Sequence, residues 1–142
     1  MQLFIGGAYA GKRAEVRHRF DNLVWHSAYD EMALEDWRAS MLPGATLIVE
    51  GWERWLAAAL AESDDDDRIR RHFAEALGSL ARAERDHGLQ VVLIMLEMGR
   101  GIVPLDARER RLRDLAGWLA QDAASVVERV WYVWNGLARS LR

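Results

Sequence analysis

The opening of the chain, MQLFIGGAYAGK, constrains the fold more than any other stretch. An apolar run, Leu3-Phe4-Ile5, leads straight into Gly6-Gly7-Ala8-Tyr9-Ala10-Gly11-Lys12, the G-x-x-x-x-G-K spacing of a phosphate-binding loop. That loop works only between a strand and a helix. Glycine-rich backbone curls its N–H groups round phosphate oxygens, the helix N-terminus adds positive potential, and the lysine reaches the outer phosphates. Residues 2–5 read as the strand and residues 12–20 as the helix. Such a loop normally closes on Ser or Thr, whose hydroxyl helps to hold Mg²⁺. Here Arg13 closes it, and a guanidinium cannot ligate a metal. Either carboxylates and water hold the ion, or the site binds without turnover, or Arg13 replaces the metal. The expected arrangement has Arg13 swung out along the helix with its charge in water, so that the loop still takes nucleotide but grips Mg²⁺ less well.

Further along, short apolar segments alternate with amphipathic ones. Residues 22–25 read as a second strand, and residues 31–41 have helical composition up to the Pro43-Gly44 turn. Residues 45–50 (ATLIVE) are a strand ending in a carboxylate, followed by a helix over 52–62. Ser63 serves as an N-cap, and Asp64 to Asp67 follow at a helix start, where the dipole favours acids. That helix runs to Asp86 and stops at His87-Gly88. Residues 89–96 (LQVVLIML) are the clearest buried strand, apolar at nearly every position. A Gly-rich loop over 97–104, a long helix over 106–128, a strand over 129–134 and a short tail over 137–142 complete the chain. Strands alternating with helices imply parallel β-α-β units with helices on both faces of the sheet, residues 2–5, 45–50 and 89–96 being central.

In such sheets ligands bind at the carboxyl ends of the strands. The polar residues just after strands are therefore the candidates: residues 6–12, His26, Glu50 and Glu97. Glu50 and Glu97 are read as metal or proton-handling acids. His26 reads as structural more than catalytic, and His18, His72 and His87 as surface residues. Bulk properties bound the rest. A length of 142 residues suits one domain, 1–142. The net charge of −3 argues against a general nucleic-acid binder. With no cysteine, disulfides and thiolate metal sites are excluded. No leader pattern opens the chain and no apolar run approaches the roughly 20 residues of a membrane span, so a cytoplasmic protein is expected.

The stretch VVLIMLEMGRGIVPLDARERRLRDLAGWLAQDAA resembles the C-terminal part of the bacterial adenosylcobinamide kinase / adenosylcobinamide-phosphate guanylyltransferase family. There an apolar strand runs into an N-E-V-G-x-G-I-V-P loop, and a helix follows with the pattern R-x-F-R-D-x-x-G-x-x-N-Q. The matching positions are Glu97, Gly99, Gly101, Ile102, Val103 and Pro104, then Arg110, Arg113, Asp114, Gly117 and Gln121. GGAYAGK resembles the family's G-G-A-R-S-G-K loop, and LIVEGWERWL its strand-end acid with the short helix after it. The departures are Arg13 at the loop's Ser/Thr, Leu96 and Ala120 at two Asn positions, and HSAYDEMALEDWRAS where the family carries the histidine that accepts guanylate. No His follows Asp30 in that region, and His26 sits too early.

The resemblance implies a P-loop NTPase-like (RecA-like) α/β fold and a role in cobalamin assembly. The activity it implies is transfer of the terminal phosphate of ATP or GTP to the aminopropanol hydroxyl of adenosylcobinamide. Gly6, Gly7, Ala8, Tyr9, Ala10, Gly11, Lys12 and Arg13 would hold the nucleotide. Lys12, Glu50 and Glu97 would be catalytic, with Glu50 and Glu97 on Mg²⁺, and Gly99, Gly101, Pro104, Arg110, Arg113 and Asp114 would form a substrate loop. The competing reading is a non-catalytic nucleotide- or corrinoid-binding relative. A homo-oligomer, a trimer, is also implied, and tryptophans such as Trp52, Trp55 or Trp118 would suit its contacts.

Overall fold

The structure, a computed structural model, describes residues 1–99 and 101–142. In the 97–104 loop expected from the sequence, Arg100 thus lies outside the described residues. Gln2–Gly6 forms β1 and Lys12–Arg19 forms α1. Leu23–Ser27 is β2, followed by 3₁₀ turns at Ala28–Asp30 and Leu34–Ser40. Thr46–Glu50 is β3, Trp52–Glu62 α2, Asp66–His87 α3 and Gln90–Leu96 β4. Ala107–Val126 is α4, Arg129–Trp134 β5 and Leu137–Ser140 β6.

Among the described residues the sheet has the order β2-β3-β4-β1-β5-β6. All pairings are parallel except β5 with β6. The uninterrupted apolar runs take the interior positions, as expected for strands covered on both faces. β3 is buried along its whole length, and Val91, Val92, Leu93, Ile94 and Met95 of β4 are buried likewise. Alternate strand residues feed two cores. Leu3, Leu47, Val49, Val91 and Leu93 meet α2, α3 and α4 on one face, while Phe4, Ile48, Val92 and Ile94 meet Val16 of α1 on the other. This is the expected mostly parallel α/β arrangement with helices on both faces.

Several elements differ from the sequence reading. β2 runs on to Ser27, so His26 lies inside the strand. The helix expected over 31–41 is instead a single 3₁₀ segment, Leu34–Ser40, with Leu34 and Trp37 buried. Ser63 is the C-cap of α2, and the N-cap of α3 is Asp65, whose carboxylate accepts from the Arg68 N–H at 3.1 Å. The expected tail is instead the edge strand β6, which needs no apolar face because it satisfies its backbone on β5. Trp52 is 1% exposed and packs edge-to-face on Trp55, so it belongs to the core rather than to an interface.

Gly51 joins β3 to α2 at φ +87°, and a Cβ there would lie 2.6 Å from the Ala28 Cβ. The position requires both the left-handed conformation and the missing side chain. Gly51→Ala is expected to destabilise the chain by about 1–3 kcal/mol, measured by urea unfolding.

Candidate functional site

The centre of the sheet's carboxyl edge belongs to β1, and the glycine-rich loop leaves from it. Gly6 approaches β5 so closely that a Cβ would lie 2.2 Å from the Val133 carbonyl oxygen. The loop is tied down on both sides: the Glu97 N–H donates to the Gly6 carbonyl at 2.8 Å, and the Gly136 N–H donates to the Ala10 carbonyl at 2.8 Å. Tyr9 and Gly11 take positive φ, 58° and 96°, which turns the chain into α1 at Lys12. A cleft of about 890 Å³ opens over this loop, lined by residues 8–14 with Arg17, Tyr29, Glu50, Arg54 and Leu96.

Lys12 Nζ donates to the carbonyl oxygens of Gly6 at 3.0 Å and Gly7 at 2.5 Å. Burial lowers its pKa below the ordinary lysine value, against the opposing pull of Glu53, Glu50 and Glu97. Carboxylates therefore surround the lysine, and each has a donor of its own. Arg13 Nε donates to Glu50 Oε2 at 2.9 Å, and Arg13 Nη2 donates to Glu50 Oε1. The Tyr29 hydroxyl donates to Glu53, and the Tyr132 hydroxyl donates to Glu97 Oε2 at 2.8 Å.

Arg13 therefore does not swing out along the helix as expected. It lies inward, across the mouth of the loop, because Glu50 is only 2% exposed and a buried carboxylate needs a partner. Its guanidinium also sits 5.3 Å from the Trp25 ring centre and 5.8 Å from that of Tyr29. The hydrogen bonds that Arg13 donates to Glu50, opposed in part by burial, raise the Arg13 pKa above its ordinary value. Among the described residues no three His, Asp or Glu side chains come together as a metal set.

The structure brings together residues 8–13 and Glu50 in one cleft, with the Gly6 and Gly7 carbonyls bonded to Lys12 and Glu97 hydrogen-bonded to the end of β1. It does not bring Arg110 and Arg113 there. Arg110 donates to the carbonyls of Pro104 at 2.9 Å and Leu105 at 2.5 Å, and Arg113 donates to those of Ile102 at 3.2 Å and Gly99. These arginines of α4 pin the loop that precedes their own helix, and Asp114 beside them is exposed. His26 is committed through both ring nitrogens. Nε2 donates to the Ala33 carbonyl at 2.7 Å, which leaves Nδ1 to accept from the Ser40 hydroxyl at 2.7 Å.

Sequence reasoning missed Glu53, Tyr29 and Arg54. Glu53 Oε2 is buried with no hydrogen-bond partner among the described residues, and Arg54 reaches over the Tyr29 ring at 5.3 Å. The available signal was the acidic first turn of the helix that follows the Glu50 strand, where Glu53 sits one turn from the strand end.

The family model for cobinamide kinase / cobinamide phosphate guanyltransferase matches residues 13–141. The chain belongs to this family. The matched span takes in Arg13, Glu50, Glu97 and the 99–105 loop, while residues 6–12 precede it. Among named relatives, the bifunctional adenosylcobalamin biosynthesis protein CobP of Pseudomonas aeruginosa is 33% identical over 122 residues, covering 83% of this chain and 66% of that protein. The bifunctional adenosylcobalamin biosynthesis protein CobU of Salmonella typhimurium is 31% identical over 90 residues, covering 63% of this chain and 45% of that one. The chain thus spans less than two thirds of the length of these relatives. No helix among the described residues is long and apolar enough to cross a membrane.

Burial and the Glu53 contact raise the Tyr29 pKa, burial being the larger cause. This contact's contribution to stability is fully present below the unfolded tyrosine value of roughly 10 and is lost as pH rises through the folded value. Glu53→Gln removes a negative charge beside the phenol and is expected to move Tyr29 ionisation to lower pH. Phenolate absorbance, with Tyr29→Phe as the assignment, checks this.

Proposed function

We propose that the chain binds a nucleoside triphosphate, ATP or GTP, on residues 6–13 and transfers its terminal phosphate to the aminopropanol hydroxyl of adenosylcobinamide. The observation that carries this reading is the site itself: a Gly-Lys loop at the centre of a parallel sheet, opening a helix, in a chain of the cobinamide kinase family.

The chemistry follows from that placement. Loop N–H groups and Lys12 receive the phosphates, and Lys12 neutralises charge developing on the transferred group. Its present partners, the Gly6 and Gly7 carbonyls, hold the ammonium at the loop until phosphate oxygens replace them. The substrate hydroxyl oxygen attacks the terminal phosphorus. The bond from phosphorus to the bridging oxygen breaks, leaving a nucleoside diphosphate, and the hydroxyl proton passes to a carboxylate. Glu97 is the acid we assign to orient that hydroxyl, because Tyr132 fixes one of its oxygens while its own backbone is tied to β1. Mg²⁺ does not fit the residues present: Arg13 stands where a loop hydroxyl would ligate it and binds both oxygens of Glu50.

Guanylyl transfer through a covalent intermediate would need an imidazole free to attack phosphorus. His26 has both nitrogens in use, so the reading stops at the kinase step. The second reading, a binding relative without turnover, is favoured by the same Arg13–Glu50 pair. Partners under the first reading are the nucleotide, the corrinoid and further copies of the chain.

Lys12→Ala is expected to weaken nucleotide binding by more than about tenfold, or about 1.4 kcal/mol, in calorimetry. With terminally labelled ATP or GTP and adenosylcobinamide, native protein should yield labelled adenosylcobinamide phosphate and the variant should not. Nucleotide binding without any transfer would select the second reading, and unchanged affinity in the variant would make the loop a mere turn.

A further inference from the structure

Arg13 occupies the place from which phosphate loops hold a metal, and it occupies it fully. Its Nε and Nη2 take both oxygens of Glu50, the strand-end acid that would otherwise face a cation. The neighbouring acids are held by the Tyr29 and Tyr132 hydroxyls. Glu53 keeps one buried oxygen unbonded, which is a single ligand. Meanwhile the cleft is lined by Lys12, Arg13, Arg17 and Arg54, against Glu50. Those cations supply, from the protein, charge that Mg²⁺ would otherwise bring to a triphosphate.

We infer that the Arg13 guanidinium stands in for the divalent cation, so that this site takes the nucleoside triphosphate free of metal. The inference rests on the nucleotide reading above and specifies the form of ligand that the site accepts. Arg13 is suited to the part. It is 47% exposed on the cleft side, so phosphate oxygens can reach it. Its Glu50 contact uses Nε and Nη2, which leaves Nη1 for an incoming oxygen. Trp25 and Tyr29 hold the guanidinium plane in position, and a pre-positioned fork loses less freedom on binding an oxyanion than a mobile side chain does. Glu50 in this arrangement positions Arg13 and is not a metal ligand.

The test is calorimetric titration with ATP and with GTP, in excess Mg²⁺ and in excess chelator, of native protein, Arg13→Ser and Lys12→Ala. Native affinity is expected to agree within about twofold between the two conditions. Arg13→Ser should lose more than about tenfold in chelator, or about 1.4 kcal/mol, and regain part of it with Mg²⁺ as a hydroxyl-closed loop would. Native binding that collapses in chelator overturns the inference without any variant being needed, and so does an Arg13→Ser protein that binds as tightly as native in chelator. Weakening by Lys12→Ala in Mg²⁺ would then leave the nucleotide reading standing alone. If native protein binds neither nucleotide in either condition, both readings fall.

Discussion

Everything at the functional edge depends on β1 being hydrogen-bonded on both sides. Gln2 to Gly6 stand opposite Val92 to Leu96 on β4 and opposite Arg129 to Val133 on β5, parallel in both cases. A strand so placed has no edge of its own, and the chain can leave its carboxyl end only outward, over the middle of the sheet. The glycine-rich loop is therefore held above the strand ends rather than at a margin. The backbone bonds from Glu97 and Gly136 then clamp it from the two neighbouring connections. Gly6 is the contact point of this arrangement, since the Val133 carbonyl fills the space where a side chain would start.

On that frame the pair of Arg13 and Glu50 joins the first turn of α1 to the last residue of β3, across the intervening β4. A carboxylate that is 2% exposed pays heavily for isolation, and the guanidinium meets it with two parallel bonds. In a loop closed by a hydroxyl, the same acid would face a bound cation. Here the cation is covalently part of the chain, so the charge balance of the site is set before any ligand arrives. Tyr29 extends the same logic by bonding Glu53 while lying beside Arg13 and Arg54.

Much of this was legible in residues alone. The apolar runs at β1, β3 and β4 declare themselves because strands covered on both faces cannot alternate. The Gly-Lys spacing and the G-x-G-I-V-P stretch point to the family that the comparison finds. Side-chain direction was not legible. Arg13 carries a long stem that suits either water or a buried acid, and only the spatial neighbourhood of Glu50 decides. Arg110 and Arg113 carry charge that suits a substrate, yet the turn that precedes α4 puts its own carbonyls within their reach. His26 reads as a loop residue because two polar side chains end β2, but the 3₁₀ turns beyond it bring Ala33 and Ser40 to its ring. Trp52 reads as an interface residue in an amphipathic pattern, and α2 turns it inward instead. The polar strand β6 has no periodic signal, because an edge is fixed by backbone pairing rather than by burial.

Arg13 and Glu50 act as one unit, joined through both carboxylate oxygens. The most direct measurement is a double-mutant cycle in urea unfolding, using Arg13→Ala, Glu50→Ala and the two together, without ligand. Removing Arg13 alone leaves a buried unpaired carboxylate, whereas removing both leaves none. Solvent screening at the half-exposed guanidinium reduces the coupling, and the expected value is about 1–2 kcal/mol, with the double variant less destabilised than the sum of the single ones. Effects that add within about 0.3 kcal/mol would mean that the two residues act independently.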